Sequence, residues 1–202
     1  ALGMLIYGFF RLVFIAFSSR ILGLTLVALL FLVFLKEYVL IAMLAGLIFL
    51  VICKLRSWKN VIPIFVFSHV VMALVAFNAA VIYPPGDFLY ILQKKQTDFY
   101  NVAEEKGAGS LIEIPEVGDA KDFIVQAPAS LYRAYLRPDF REIDSVFHAA
   151  CSAENVLLFA AFILMLFSFR RLREKDLAVV LFCLSFAIVL GLIIGNTVPV
   201  LG

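Results

Sequence analysis

Charge is scarce in this sequence, and so are most of the residue types that chemistry uses. Only 16% of the 202 residues are Asp, Glu, Lys or Arg, against roughly 25% in a soluble domain. The chain holds two histidines, three cysteines and one tryptophan. Cys53, Cys151 and Cys183 are widely spaced, so they form neither a disulfide framework nor a metal-spaced cluster, and each reads as a packing residue. A phosphate-cradling glycine loop, a dinucleotide fingerprint, a haem-attachment motif and a nucleophile elbow are all missing. The sequence therefore implies no cofactor and no metal, and it leaves open whether the chain is an enzyme. The net charge of +2 offers nothing to a nucleic acid.

What the sequence has is apolar surface. Hydrophobic residues make up 64% of the chain and mean hydropathy is +1.04, more than a soluble core can hide. The expected fold class is an all-α membrane protein, a bundle of about six transmembrane helices at 2–19, 21–35, 38–53, 61–83, 151–169 and 176–198. The second and third are short, and Arg11 interrupts the first, so that segment either spans or lies at the interface. Read as one helix, 21–53 would be about 50 Å long, against a hydrocarbon core near 30 Å, with Lys36 and Glu37 stranded in the middle. A tight helical hairpin fits better. Pro63 sits in the first turn of the fourth span, where its missing N–H does no harm, and Pro84, Pro85 and Gly86 end that span. Pro199 ends or kinks the sixth. The apolar C-terminal run stops abruptly, as in a piece of a longer protein.

The charges sort by segment. Residues 84–150 carry seven Lys/Arg against eleven Asp/Glu, a net of −4, whereas the rest of the chain carries ten against four, a net of +6. Lys and Arg in short loops favour the cytoplasmic side, so Lys54, Arg56 and Lys59 belong inside with Arg170, Arg171, Arg173 and Lys175. Two spans and the acidic segment separate these loops, and one topology satisfies both: residues 1–83 hold spans one to four, 84–150 form an extracytoplasmic helical segment, and 151–202 hold the last two spans.

That segment has local order. Asp87 caps a helix running to about Lys106, with Phe88, Ile91, Leu92, Phe99, Val102 and Ala103 near one face and Gly107 as its stop. Residues 110–116 alternate as an extended piece. A helix from Asp119 to Leu136, bent near Pro128, follows, and then an amphipathic turn or helix bearing Phe140, Ile143, Val146, Phe147 and Ala150 on one side.

Within it, Arg133, Arg137 and Arg141 recur every four residues. On a continuous helix the three guanidiniums share a face and hold a phosphate or pyrophosphate by forked hydrogen bonds; Pro138 interrupts that geometry. The bland alternative is a solvated surface whose arginines pair with Asp139, Glu142 and Asp144. Glu142, His148 and Glu154 are the acid–base candidates, with His148 as base or shuttle and Glu154 as its orienter, although a lone His and Glu at a helix start also serve as caps and anchors. In the spans, His69 and Asn78 lie two and a half turns apart and face opposite sides, each reading as an interhelical hydrogen-bonding group. Asn196 and Thr197 before Pro199 are placed to soften the sixth helix.

Four stretches together resemble a known group: Lys95 and Gln96 with Phe99 and Ala103; Pro128 through Arg137 and Pro138, with Glu142; Ala153, Glu154 and Asn155; and the run from Gly195 to Gly202. They are similar to bacterial polytopic inner-membrane proteins of uncertain function associated with surface-polysaccharide assembly, over roughly residues 88–202. Where members carry an aromatic before the glutamate, this chain has Arg141. The resemblance implies an inner-membrane location with 84–150 on the periplasmic side, and a role with a lipid-linked glycan. The lipid bilayer, that glycan and other membrane subunits are then the partners. A non-enzymatic accessory subunit of a membrane complex is the alternative, and a transporter a third.

Overall fold

The computed structural model of the chain describes residues 2–15, 18–35, 37–82, 87–106, 113–143, 145–168 and 172–199. Among these it is all-helical, with eight helices and no strand: α1 Leu2–Phe14, α2 Ser19–Leu35, α3 Glu37–Leu55, α4 Val61–Ile82, α5 Phe88–Glu105, α6 Ala120–Tyr135, α7 Val146–Ser168 and α8 Glu174–Thr197. Lys36, the Pro84–Gly86 terminator, the Gly107 stop, residues 110–112 of the extended piece, Asp144, Arg170, Arg171 and the run after Pro199 lie outside the described residues.

Four helices are long and apolar enough to cross a membrane, over Tyr38–Leu55, Val61–Val81, Val146–Leu164 and Glu174–Thr197. The two N-terminal apolar helices are shorter, Leu2–Phe14 and Ser19–Phe34. At 1.5 Å per residue α1 is only about 20 Å long, and it keeps Arg11 exposed beside Tyr7, whose hydroxyl accepts from it at 2.7 Å. By length, then, the described helices supply four spans and not the six of the hydropathy reading.

The chain divides into two compact units, and the division passes through α4 after Val71 and through α8 after Leu190. The first unit holds α1 to α3 with the first parts of α4 and α8. Here α2 and α3 pack side by side as the hairpin reading expected, and α1 lies against both. Gly46 makes room for the ring of Phe182, whose nearest atom would stand 2.7 Å from an added Cβ. After α3 the chain turns through left-handed Ser57, Trp58 and Asn60, and Trp58 N–H donates back to Cys53 O at 2.8 Å, a helix-ending turn that satisfies an orphan carbonyl. Phe14 stacks on Trp58 with centroids 4.8 Å apart, and the Lys175 ammonium lies 5.1 Å from the Phe14 centroid, within cation–π range. His69 is satisfied from two sides: Nδ1 lies 2.7 Å from Phe65 O, to which it donates, leaving Nε2 to accept from Ser185 Oγ at 2.5 Å. The interhelical reading thus holds for His69. Asn78 differs, since its amide turns back to Leu74 O of its own helix at 2.8 Å.

The second unit holds the later parts of α4 and α8 with α5, α6 and α7. Asp87 caps α5 by accepting from Leu89 and Tyr90 N–H at 2.9 and 3.2 Å. Asp119 caps α6 by accepting from Asp122 N–H at 2.7 Å, while the Asp122 carboxylate accepts from the N–H of Gly118, the residue before the cap. Phe77, Phe88 and Phe123 meet edge to face with centroids 5.6 to 5.7 Å apart, joining α4, α5 and α6. Leu92 and Ala103 of the expected α5 face are buried, whereas Phe99 and Val102 are exposed. Residues 113–118 form neither helix nor strand. Three glutamine amides hold this stretch instead, as Gln93 donates to Val117 O, Gln96 to Ile114 O and Gln126 to Glu116 O at 2.7, 2.8 and 3.1 Å.

Candidate functional site

The arginines do not share a helical face. α6 ends at Tyr135, with Leu136 as its C-cap, because Pro138 cannot continue the helix and disfavours helical geometry at the residue before it. The Arg137–Pro138 peptide is cis and Pro138 is buried. Each of the three arginines therefore has different surroundings.

Arg133, still helical, turns toward the end of α8. Its Nε donates to Gly195 O at 2.7 Å and Nη2 to Ser130 Oγ at 3.1 Å. Gly195 lies in the last turn of α8, where unsatisfied carbonyls give the helix its negative end, so a guanidinium there is doubly favourable. The approach is close enough to require glycine: a Cβ on residue 195 would stand 2.9 Å from Ser130 Cα and nearer still to the Ser130 carbonyl. One turn earlier on α8, Gly191 leaves room for the ring of Tyr135. Beneath Arg133, Ser130 and Asn196 are both fully enclosed. Ser130 Oγ lies 2.8 Å from Asn196 Oδ1 and 2.9 Å from Gln126 O, its single proton serving one of them, and Asn196 Nδ2 donates to Leu192 O at 2.8 Å. Burial, and then the neighbouring Arg137 charge, push the Arg133 guanidinium down from its ordinary value.

Arg137 makes a forked pair with Glu142, Nε to Oε2 at 3.0 Å and Nη2 to Oε1. Glu142 also accepts from Asp139 N–H at 3.1 Å. Chiefly through the Arg137 fork, its carboxyl is held below the usual range. Asp139 accepts from the Tyr132 hydroxyl at 2.5 Å and from Arg141 N–H at 2.8 Å; the same Tyr132 bond lowers the Asp139 carboxyl and raises the Tyr132 phenol. Arg141 is exposed. The bland alternative thus describes Arg137, which pairs with a carboxylate as a surface arginine would, but not Arg133, which is drawn inward.

The acid–base candidates separate as well. Glu142 is the counter-ion of Arg137. His148 and Glu154 both lie on α7, which begins at Val146 and not at 151, because Ser145 caps it by accepting from His148 N–H at 3.2 Å. Six residues on one helix set them about 9 Å apart along the axis and about 120° around it, so helix geometry does not bring them to one face. His148 is half-buried, Glu154 is exposed, and it is the adjacent Asn155 that reaches the site, donating to Arg137 O at 3.0 Å. Asn196 and Thr197 do not soften α8, which continues to Thr197; both side chains bond back one turn, to Leu192 and Ile193 carbonyls.

The site is therefore a polar knot joining α6, the 136–143 loop, the start of α7 and the end of α8. Ser130, Gly195 and Asn196 are parts of it that the arginine spacing did not reveal. Among the described residues no cluster of His, Cys, Asp or Glu forms that would hold a metal. The chain matches no protein-family model, no curated protein and no solved structure.

Proposed function

We propose that the chain is a polytopic protein of the bacterial inner membrane that takes part in cell-envelope assembly, holding the pyrophosphate of a lipid-linked glycan at the outer face of the bilayer. The observation that carries this reading is Arg133, half-buried and held by Gly195 O and Ser130 Oγ near the charge of Arg137. Across 133–142 three guanidiniums stand against two carboxylates, Asp139 and Glu142. The carbonyl end of α8 offsets about half a unit charge, leaving positive charge for an anion. In this reading Glu142 is the counter-ion that sets Arg137, and Arg141 is the exposed member that meets the anion first.

The charge distribution supports the orientation. Lys54, Arg56 and Lys59 fall in the first unit with Arg173 and the start of α8 that bears Lys175, whereas the acidic segment falls in the second with Asn196. Basic residues in short loops favour the cytoplasm, so residues 87–143 face the periplasm, with α1 and α2 as shorter membrane or interfacial helices. Replacing Arg133 with Gln, which leaves the Arg137–Glu142 pair in place, and separately Arg137 with Ala, tests the proposal. Surface glycan falling by about tenfold or more at equal membrane abundance is expected, tenfold being the cost of one lost charge-assisted contact; unchanged glycan in both variants overturns it.

A second reading, an accessory subunit of a larger complex, draws on α4 and α7, whose membrane windows are only 6% buried. Those faces meet either lipid or another protein's helices. Native purification separates the two, since a stoichiometric partner retained without any lipid-linked sugar favours the subunit.

A further inference from the structure

The second unit holds a cleft that the arginine knot does not use. It lies between α5 and the 113–116 stretch, has a volume of about 610 Å³, and reaches Pro199 just beyond α8. Small-molecule sites occupy about 300–1,000 Å³. Its walls are fixed by the glutamine amides: Gln93 opposes Val117 and Gln96 opposes Ile114 in antiparallel register. Because both amide nitrogens are committed to backbone, the Oε1 of each is the atom with acceptor capacity to spare, and among the described residues neither has a hydrogen-bond partner.

The lining sets the ligand chemistry. Asp98, Glu113 and Glu116 against Lys94 leave a net charge of −2, so a phosphate or another anion is repelled. The carboxylates are spread along the cleft and form no metal-holding group among the described residues, so a small cation has no cage; an organic cation is attracted by the net charge, and amino-substituted sugars in the test separate it from a neutral ligand. What remains is an array of acceptors, each carboxylate able to take two donors at once. Beside it stand two tyrosines, Tyr90 and Tyr100, that are 58% and 44% exposed and offer an apolar face with a polar tip. A ligand that presents many hydroxyl donors along one edge and C–H faces to stack fits all of these.

We infer that this cleft binds a neutral oligosaccharide. The ligand class follows from the lining; that it is the sugar end of the molecule whose pyrophosphate meets Arg133 rests on the function proposed above. The test uses the full chain in lipid nanodiscs on an array of short neutral, acidic and amino-substituted oligosaccharides. Binding to neutral members is expected, weakened about tenfold by Asp98→Ala or Tyr100→Ala, two exposed side chains whose removal spares the fold, and unchanged by Arg133→Gln. Binding to no neutral member, or binding confined to acidic or amino sugars, overturns the cleft assignment. Array binding together with unchanged surface glycan in the Arg133 and Arg137 variants keeps the cleft and removes the pyrophosphate reading; lost surface glycan without array binding does the reverse.

Discussion

Glu142 accepts from three directions at once: twice from the Arg137 guanidinium and once from Asp139 N–H. These bonds are stronger to the ionised carboxylate than to the protonated acid, which is why its proton is bound more weakly in the fold than in the open chain. A lowered folded value means that the stabilisation is fully present above the ordinary glutamate pKa, about 4.3, and is lost as pH falls through the folded value. Because the pair is part-exposed, its worth is on the order of 1 kcal/mol. Thermal unfolding of the protein in detergent, followed from neutral to acid pH, should show Glu142→Gln less stable than the unchanged chain at neutrality, with the gap closing under acid conditions. A gap that is constant with pH would mean that the carboxylate does not set the loop by its charge.

At the scale of elements, what read cleanly from sequence was local. Asp87 caps α5 because its carboxylate reaches an N–H two residues ahead, and such reach is written in the spacing itself; the helix start read at Asp119 is capped in the same way. The arginine repeat was local too, but it competed with Pro138, and the proline won by ending α6 at Tyr135. The sequence reading starts the fifth span at Cys151 and gives 140–150 to a separate amphipathic turn or helix; Ser145 caps a single helix that begins five residues earlier, at Val146. Ser130 and Asn196 lie 66 residues apart, a pairing that no periodicity encodes.

The docking of α6 on the end of α8 hangs on Gly195. Gly195→Ala would drive a methyl into the Ser130 backbone and should cost about 1–3 kcal/mol, seen as a lower midpoint of thermal unfolding and earlier protease cleavage in α6. Gly23→Ala is the control: nothing stands within 4 Å of its added Cβ, so relief of glycine's helix penalty should leave stability unchanged or raise it by up to about 1 kcal/mol. Equal effects at the two sites would contradict the close contact.

For the whole molecule, the apolar excess that defines the composition ends up on helix surfaces. Leu157, Leu158 and Leu164 of α7 are more than half exposed, and so are Ile124 and Val125 of α6, yet the two groups differ in setting: α7 is apolar over a full membrane-crossing length and α6 is not. Leu158→Lys places a charge near the middle of a span, at a cost of about 2.5–3.5 kcal/mol for insertion, and should sharply reduce the membrane-integrated protein. Ile124→Lys should leave that yield unchanged, as measured by membrane fractionation at equal synthesis.

The central claim is that the acidic segment and the two basic turns face opposite sides of one bilayer. With Cys53, Cys151 and Cys183 replaced, single substitutions Lys121→Cys and Lys59→Cys are exposed in intact cells to a thiol reagent that cannot cross the inner membrane. Labelling of position 121 without permeabilisation, and of position 59 only after it, is the expected result. The reverse pattern would turn the map over and remove the outer-face glycan role with it.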